Sequence, residues 1–285
     1  MSVVQHPWET LKAIEAAPGV VECRLSRAEK RNAMSSKMWD EIREFFGMVA
    51  HDGTVRVVLL TGEGSLFCAG VDFEAFTLVP REPDVGHTAL RIRSFGCAWQ
   101  DSFTNLEKCN KVVIACIHNL CLGAAVEMIS AADIRFCTKD TVFSLKEVEL
   151  GMAADVGGLQ RFPKLVGNQS LVRELVFSCR NFSASEALPF GFVSKIFDER
   201  QAMYDAALEM AKSIAAKSPV AMYSAKHLLN YSRDHTVDES LDYSITWNQA
   251  MLQSKDVGKS TMALMKKKPA SFPDLPATSS SYAKL

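Results

Sequence analysis

The sequence has no excess of charge of either sign: 32 lysines and arginines stand against 33 aspartates and glutamates, a net charge of −1. No global positive field is available to draw in nucleic acid or anionic lipid, and neither is expected as a partner. Glycine, at 15 residues, and proline, at 10, are too few for a collagen-like or low-complexity chain. None of the eight cysteines forms a C-x-x-C pair, which removes the usual zinc spacing, and no metal site is expected. The first residues, MSVVQHPWETL, lack the apolar core of a secretory signal, so the expectation is a reducing compartment and buried free thiols. The longest apolar stretch, residues 112–134, is broken by His118, Asn119, Glu127 and Asp133 and does not read as a membrane span. No internal repeat is visible.

What is present is 285 residues with 48% hydrophobic content, enough for one large domain, alone or with an appended helical piece. Residues 20–60 read as strand (VVECRL), polar loop (SRAEKRNAMSS), helix (KMWDEIREFFGMVA) and strand (VRVVLL), an α/β alternation. A Gly-containing turn follows at 61–64, and a charged, proline-bearing loop at 77–86. Helical spacing returns over 90–106, then a β-branched strand, KVVIACI, and a helix, LGAAVEMISAAD. IRFC and VFSLKEV read as further strands. From residue 200 to 268 the patterns are helical, with start signals at Ser218-Pro219 and in the capping box Thr236-x-x-Glu239. The polar, proline-punctuated tail, 269–285, is expected to be mobile.

Three acids stand out in residues 109–161. On a helix starting near Gly123, Glu127 shares its face with Gly123, Ala124, Ser130 and Ala131, all small, which leaves room beside the carboxylate. The same pattern also permits a solvent-facing Glu127. In VFSLKEV, period-two alternation groups Glu147 with Phe143 and Leu145, an apolar side on which burial raises a carboxyl pKa. A frayed strand end with Glu147 in water is the other reading. Asp155, between GMAA and VGGLQR, reads by itself as a helix N-cap.

Twenty residues separate the first two acids and eight separate the second and third. This segment resembles the crotonase (enoyl-CoA hydratase/isomerase) superfamily. Within it, KEVELGMAADVGGLQR and SRDHTVDESLDYSITWNQAMLQSKD resemble the dienoyl-CoA isomerases, with likeness running over residues 20–268. The resemblance implies an α/β fold: a crotonase-like spiral of ββα units over 1–199, a C-terminal all-helical oligomerisation module over 200–268, and a flexible tail over 269–285. It implies that Glu147 and Asp155 form an acid/base pair, with Glu127 at a third acidic position, and that the backbone N–H groups of Val71 and Ala124 form an oxyanion hole. Ala124 at a helix start and Gly70 in a tight turn suit that role, although SLFCAGVDF by itself reads equally as a plain turn.

The implied reaction moves a proton from C2 to C6 of a 3,5-dienoyl thioester through an oxyanion-stabilised dienolate. It requires no cofactor, coenzyme A being part of the acyl-CoA substrate. The resemblance lays that group along Ala28, Arg31 and Ala33 and along Cys68, Ala69 and Gly70, with Lys268 meeting a phosphate. Residues 266–268 also read as a solvated helix end. Two departures matter. Asn119, Leu120, Ala124 and Ala125 stand where the family is glycine-rich, and Glu127 stands where the dienoyl isomerases carry Asp. Glu127 with Glu147 matches the acid pair of enoyl-CoA hydratases, which makes hydration the alternative activity. A non-catalytic homologue binding acyl-CoA or a protein is a third reading. The helical region is expected to build a homotrimer or homohexamer, or else its apolar faces cover the core of its own subunit. The last residues, Ala283-Lys284-Leu285, vary the S-K-L address read by a peroxisomal import receptor, so a peroxisome or glycosome matrix is the expected location. Chain-length preference is expected to depend on the loop over 76–90.

Overall fold

The runs VRVVLL and KVVIACI are apolar at nearly every position because both faces of their strands are covered. A computed structural model of the chain describes residues 2–77 and 82–278. Strand β1 (Leu11–Ala17) turns at Gly19, φ 75°, into the antiparallel β2 (Val20–Leu25). Helix α1 (Ser36–His51) leads to β3 (Val57–Gly62), parallel to β2. The short α2 (Glu74–Thr77) and the long α3 (Val85–Lys108) then precede β4 (Val112–Ile117), parallel to β3.

From β4 the chain spirals. Asn119, in the left-handed region at φ 57°, turns it into β5 (Leu120–Leu122), which feeds α4 (Ala124–Ser130). The next round repeats the order with β6 (Ile134–Thr138), β7 (Val142–Ser144), α5 (Gly158–Leu165) and α6 (Gln169–Ser178). Strand β8 (Phe182–Ser183), helix α7 (Ala184–Ala187) and strand β9 (Lys195–Phe197) complete two sheets, ordered β1-β2-β3-β4-β6-β9 and β5-β7-β8. An isolated bridge between Cys68 and Cys121 sets the segment after β3 beside β5, one round earlier in the same spiral. This is the ββα spiral expected above.

The main core fills the space between the sheets and beneath α1, α3 and α4. A second core lies on the outer face of the large sheet, where Val57, Leu59, Ile114, Cys116 and Phe136 meet Met203, Ala207, Ala211 and Ala215 of α8 (Arg200–Ala215). Spaced four apart, the three alanines form one small-residue stripe that lets the helix approach the strands closely. Two expectations change here. Helix α8 is a layer of the core, so residue 200 is not a packing boundary. Nor is the first part of the tail free: the Arg56 guanidinium donates to Phe272 O at 2.9 Å and Asp274 Oδ1 at 3.0 Å, and Thr278 N–H donates to His51 O at 3.2 Å. Seven of the eight thiols are buried, and Cys97 on α3 is half-buried; none is paired.

Both expected start signals hold, Ser218 capping α9 (Pro219–Asp234) and Thr236 with Glu239 boxing the start of α10 (Val237–Met251). Helix α9 docks through Lys226, whose buried ammonium donates to Asp133 Oδ2 and Lys111 O, both at 2.8 Å. Helix α10 buries no side chain and holds α9 by ring contacts, among them His227 on Trp247 (centroids 4.3 Å apart) and Tyr231 on Tyr243 (4.1 Å). Helix α11 (Lys255–Met265) closes the order.

Candidate active site

Two glycines bring two backbone segments together. Gly70, at φ 95°, sits so close to β5 that a Cβ there would stand 2.9 Å from Leu122 O and 4.0 Å from Ala124 N. Cys68 N–H donates to Leu120 O at 3.1 Å and Leu122 N–H to Cys68 O at 3.2 Å, which fixes the pairing. The neighbouring loop takes up Gly70 O, from Met34 N–H, and Asp72 N–H, into Met34 O. The Val71 amide between them falls on the other side of the chain and has no acceptor among the described residues. The same holds for the Ala124 amide, first in α4, where no preceding turn supplies a carbonyl. Both residues line one cavity, so two free N–H donors face a common space, an arrangement suited to an oxyanion.

Every residue of α4 is buried. Glu127 is 1% exposed, which settles its orientation against solvent. Its Oε2 accepts the Gly158 N–H at 2.5 Å, at the start of α5. A Cβ on Gly158 would stand 2.7 Å from Glu127 Cγ, so only glycine lets the two elements meet this closely. Burial, and then the neighbouring charge of Glu147, outweigh that hydrogen bond and push Glu127 up to about 8. Near neutral pH it is a protonated acid.

Glu147 does not continue β7. The strand ends at Ser144, and Glu147, with φ −64° and ψ −41°, opens a single 3₁₀ turn, Val148–Leu150. The desolvated carboxyl that alternation suggested is present, but a turn places it. Its Oε2 is buried and has no hydrogen-bond partner. Burial raises its pKa, while protonated Glu127 beside it favours the Glu147 carboxylate. Gly123 makes room for this group: its φ is 53°, and a Cβ there would stand 3.0 Å from Glu147 Oε1. Asp155 is not a helix cap, since α5 begins three residues later behind Gly157. It is an exposed side chain on the loop between the 3₁₀ turn and α5, and its carbonyl accepts from Gln100 Nε2 at 2.7 Å.

Glu127, Glu147 and Asp155 line the same cavity of about 540 Å³ as Val71 and Ala124. Arg31, Ala33, Ala69 and Gly70 line it as well. Three predicted contacts do not. Ala28 stands outside, against Gly64. Cys68 is fully buried behind the turn and directs its thiol to Asn32 O at 3.0 Å. Lys268 lies exposed beyond α11, away from the cavity lining of its own chain. Of the residues that replace family glycines, Leu120 and Ala124 reach the cavity, whereas Asn119 shapes the turn and Ala125 packs in the core. The loop over 76–90 is only partly within the described residues.

Sequence reading missed the aromatic wall, where Trp39 and Trp99 stack with centroids 4.8 Å apart. It also missed Asn32, fully buried, whose Nδ2 reaches Glu63 O, Leu66 O and Phe67 O at 2.8 to 3.1 Å and locks the loop behind Ala33. Nothing in a tryptophan or asparagine codon by itself separates such roles from core packing. The adjacent pair Gly157-Gly158 was the one visible signal of a close approach near Asp155.

Because Glu127 ionises near pH 8 in the folded chain and near 4.5 ordinarily, the native state holds a proton there that the unfolded chain has lost between those values. Stability contributed by this group is therefore full below about pH 4.5 and declines as pH rises towards about 8, with a slope approaching about 1.4 kcal/mol per pH unit. Glu127→Gln keeps the acceptor for Gly158 and should flatten that decline in urea titrations across the window. An unchanged slope in the variant would show that Glu127 is ionised throughout.

The model of the family described as enoyl-CoA hydratase/isomerase matches residues 15–275. A mouse protein named mitochondrial Delta(3,5)-Delta(2,4)-dienoyl-CoA isomerase is 46% identical over 269 residues, covering 93% of this chain and 82% of its own length. A peroxisomal protein of the same name from Arabidopsis thaliana is 37% identical, covering 86% of this chain and 90% of its own. The crystal structure of an enoyl-CoA hydratase from Bacillus anthracis superposes with a TM-score of 0.85 at 25% identity, covering 93% of this chain and 99% of that one. With the spiral of ββα units and the match over most of its length, the chain belongs to the enoyl-CoA hydratase/isomerase family.

Proposed function

We propose that this protein is a Δ3,5-Δ2,4-dienoyl-CoA isomerase of unsaturated fatty acid β-oxidation. The observation that carries the reading is Asp155 in one cavity with the buried pair Glu127 and Glu147 and two free amides; relatives at 46% and 37% identity bear that name. The acyl-CoA thioester enters past Arg31, Ala33, Ala69 and Gly70, with its carbonyl oxygen at the Val71 and Ala124 amides. Glu147, whose Oε2 has no other partner, takes the C2 proton. Charge moves onto the thioester oxygen, where donors already in place stabilise it, each worth on the order of 10² to 10³ in rate. Asp155 supplies the proton at C6, and proton exchange through solvent at this exposed side chain, with loss of the C2 proton from Glu147, restores both groups for the next turnover. Glu127 is the neutral acid that supports the Glu147 carboxylate. The scheme uses no metal ion or redox cofactor, and coenzyme A acts only as the carrier of the acyl group.

The Glu127 and Glu147 pair also favours a second reading, hydration of a 2-enoyl thioester, in which the two carboxyls hold and deprotonate water. Ultraviolet absorbance separates the two, since conjugation of a 3,5-dienoyl-CoA creates a chromophore and hydration of a 2-enoyl-CoA destroys one. Purified protein is expected to conjugate the dienoyl thioester, and Asp155→Asn to slow this by about 10² or more. Loss of 2-enoyl absorbance alone, unaffected by Asp155→Asn, would make the protein a hydratase.

The exposed Leu241, Ile245, Val257, Met262, Leu264 and Met265 on α10 and α11 favour a homotrimer or homohexamer, in which these faces are covered. Sedimentation velocity at micromolar concentration should give a mass of three or six chains, and a single-chain mass would reject the assembly. For location we favour a peroxisome or glycosome matrix, entered by an import receptor that reads Ala283-Lys284-Leu285; these residues lie outside the described ones. A reporter carrying the full chain should enter the organelle and lose entry when the last three residues are removed. Mitochondrial import in both cases, as the name of the mouse relative would suggest, would overturn this.

A further inference from the structure

The loop that carries Asp155 ends at a buried charge cluster that the proposed chemistry does not use. Arg161, on the first turn of α5, sends its guanidinium back beneath that loop: Nη1 donates to Val156 O at 3.4 Å, and the backbone of Gly157 leaves no space for a side chain against it. Glu107 at the end of α3 holds the same guanidinium, its Oε2 accepting from Nη2 at 3.1 Å and its Oε1 standing 3.1 Å from Nε as an ion-pair contact without a hydrogen bond, and Thr104 Oγ1 accepts from Nη2 at 3.2 Å. Glu107 is 5% exposed and is shared with Arg233 of α9, whose Nη1 donates to its Oε1. Asn230 Nδ2, also on α9, donates to the Glu107 carbonyl at 3.1 Å, and on the surface Lys164 of α5 pairs with Asp234 of α9. Burial alone would raise the Glu107 pKa, but the hydrogen bonds and charges of Arg161 and Arg233 outweigh it and hold the carboxyl below its ordinary range.

We infer that Arg161, Glu107 and Arg233 are positioning residues that set the Asp155 loop and the Gly158 amide against the cavity, so that the C-terminal helix α9 helps to hold the acid of the C6 step. A carboxylate buried between two arginines has one good geometry, because losing either partner leaves an uncompensated charge in a dry site. The fork of Arg161 transmits that geometry to residues 156 and 157, on either side of which lie Asp155 and the amide that meets Glu127. Glu147 follows a different element, β7, and the cluster reaches it only indirectly, through the Gly158 amide and Glu127.

This inference rests on the isomerase reading in assigning Asp155 to C6, and its test uses one readout that does not. In Glu107→Gln and in Arg233→Gln, which lies far from the cavity, amide hydrogen exchange over 155–158 should accelerate by about tenfold while exchange in α4 and β4 stays unchanged. With a 3,5-dienoyl-CoA, kcat should fall by about 10-fold to 10²-fold, as a displacement of about 1 Å would cause, with KM within about twofold. Exchange of the C2 protons of a 3-enoyl-CoA in D₂O, which needs Glu147, its neighbour Glu127 and the two amides but not Asp155, should fall by much less than conjugation does. Arg161→Lys, retaining the charge without the fork, should lie between wild type and Glu107→Gln. Unchanged exchange at 155–158, or equal losses of C2 exchange and conjugation, would overturn the positioning role. A wild-type protein that conjugates no dienoyl thioester, with exchange at 155–158 still accelerated in the variants, would leave the positioning role standing and remove only the isomerase reading.

Discussion

The carboxyl of Glu127 is carried out of water on a helix with no exposed residue, and a single backbone donor, the Gly158 amide, meets it. Isolated burial of an ionised carboxylate is prohibitive, so the group keeps its proton instead, and that neutral acid lies beside Glu147. Several features follow from this constraint. Gly158 must lack a side chain, α5 must begin where it does, and the loop before it must pass the mouth of the cavity with Asp155 on it. The ionisation of the second acid is thereby tied to the protonation of the first.

The amide pair depends on a different kind of closeness. Val71 and Ala124 are 53 positions apart in the chain, and they line one cavity only because one short parallel bridge, Cys68 to Cys121, draws the turn after β3 against β5, while a second, Met34 to Val71, pairs that turn with the loop before α1. Each donor is left over from regular pairing: Val71 lies between two residues whose groups are used by Met34, and Ala124 precedes the first helical hydrogen bond. Donors of this kind cost no reorganisation when negative charge appears, because the fold has already oriented them. Trp39, Trp99, Leu120 and Leu122 add apolar surface to the same cavity, where an electrostatic contact is stronger than in open water.

Much of the architecture was legible because local patterns and tertiary contacts agreed. The apolar runs of β3 and β4 announced strands, and the caps at Ser218 and Thr236 marked true helix starts. Where reading failed, a nonlocal contact had overruled a local pattern. Alternation in VFSLKEV pointed to a strand through Glu147, but β7 pairs for only three residues and a 3₁₀ turn then sets the carboxyl. The helical sequence after residue 200 looked like one module, yet α8 carries a stripe of alanines that fits it to the sheet, while α9 to α11 lie outside. Proline and polar residues in the tail suggested mobility, but Arg56 and His51, distant in sequence, tie that segment down as far as residue 278.

The sequence by itself determined most of the elements and the identity of the acids, because hydrophobic periodicity, capping and residue type are local properties, whereas the spiral order was implied only by resemblance to a family. Long motifs also tied Glu127, Glu147 and Asp155 to one family by resemblance. Tertiary structure alone decided which of those groups meet: it brought the acids and the amides to one cavity, left Ala28, Cys68 and Lys268 outside its lining, and supplied the tryptophan wall and the Arg161, Glu107 and Arg233 cluster. Burial and proximity between distant residues are set by how elements pack. A carboxyl 1% exposed and one in open water have the same codon.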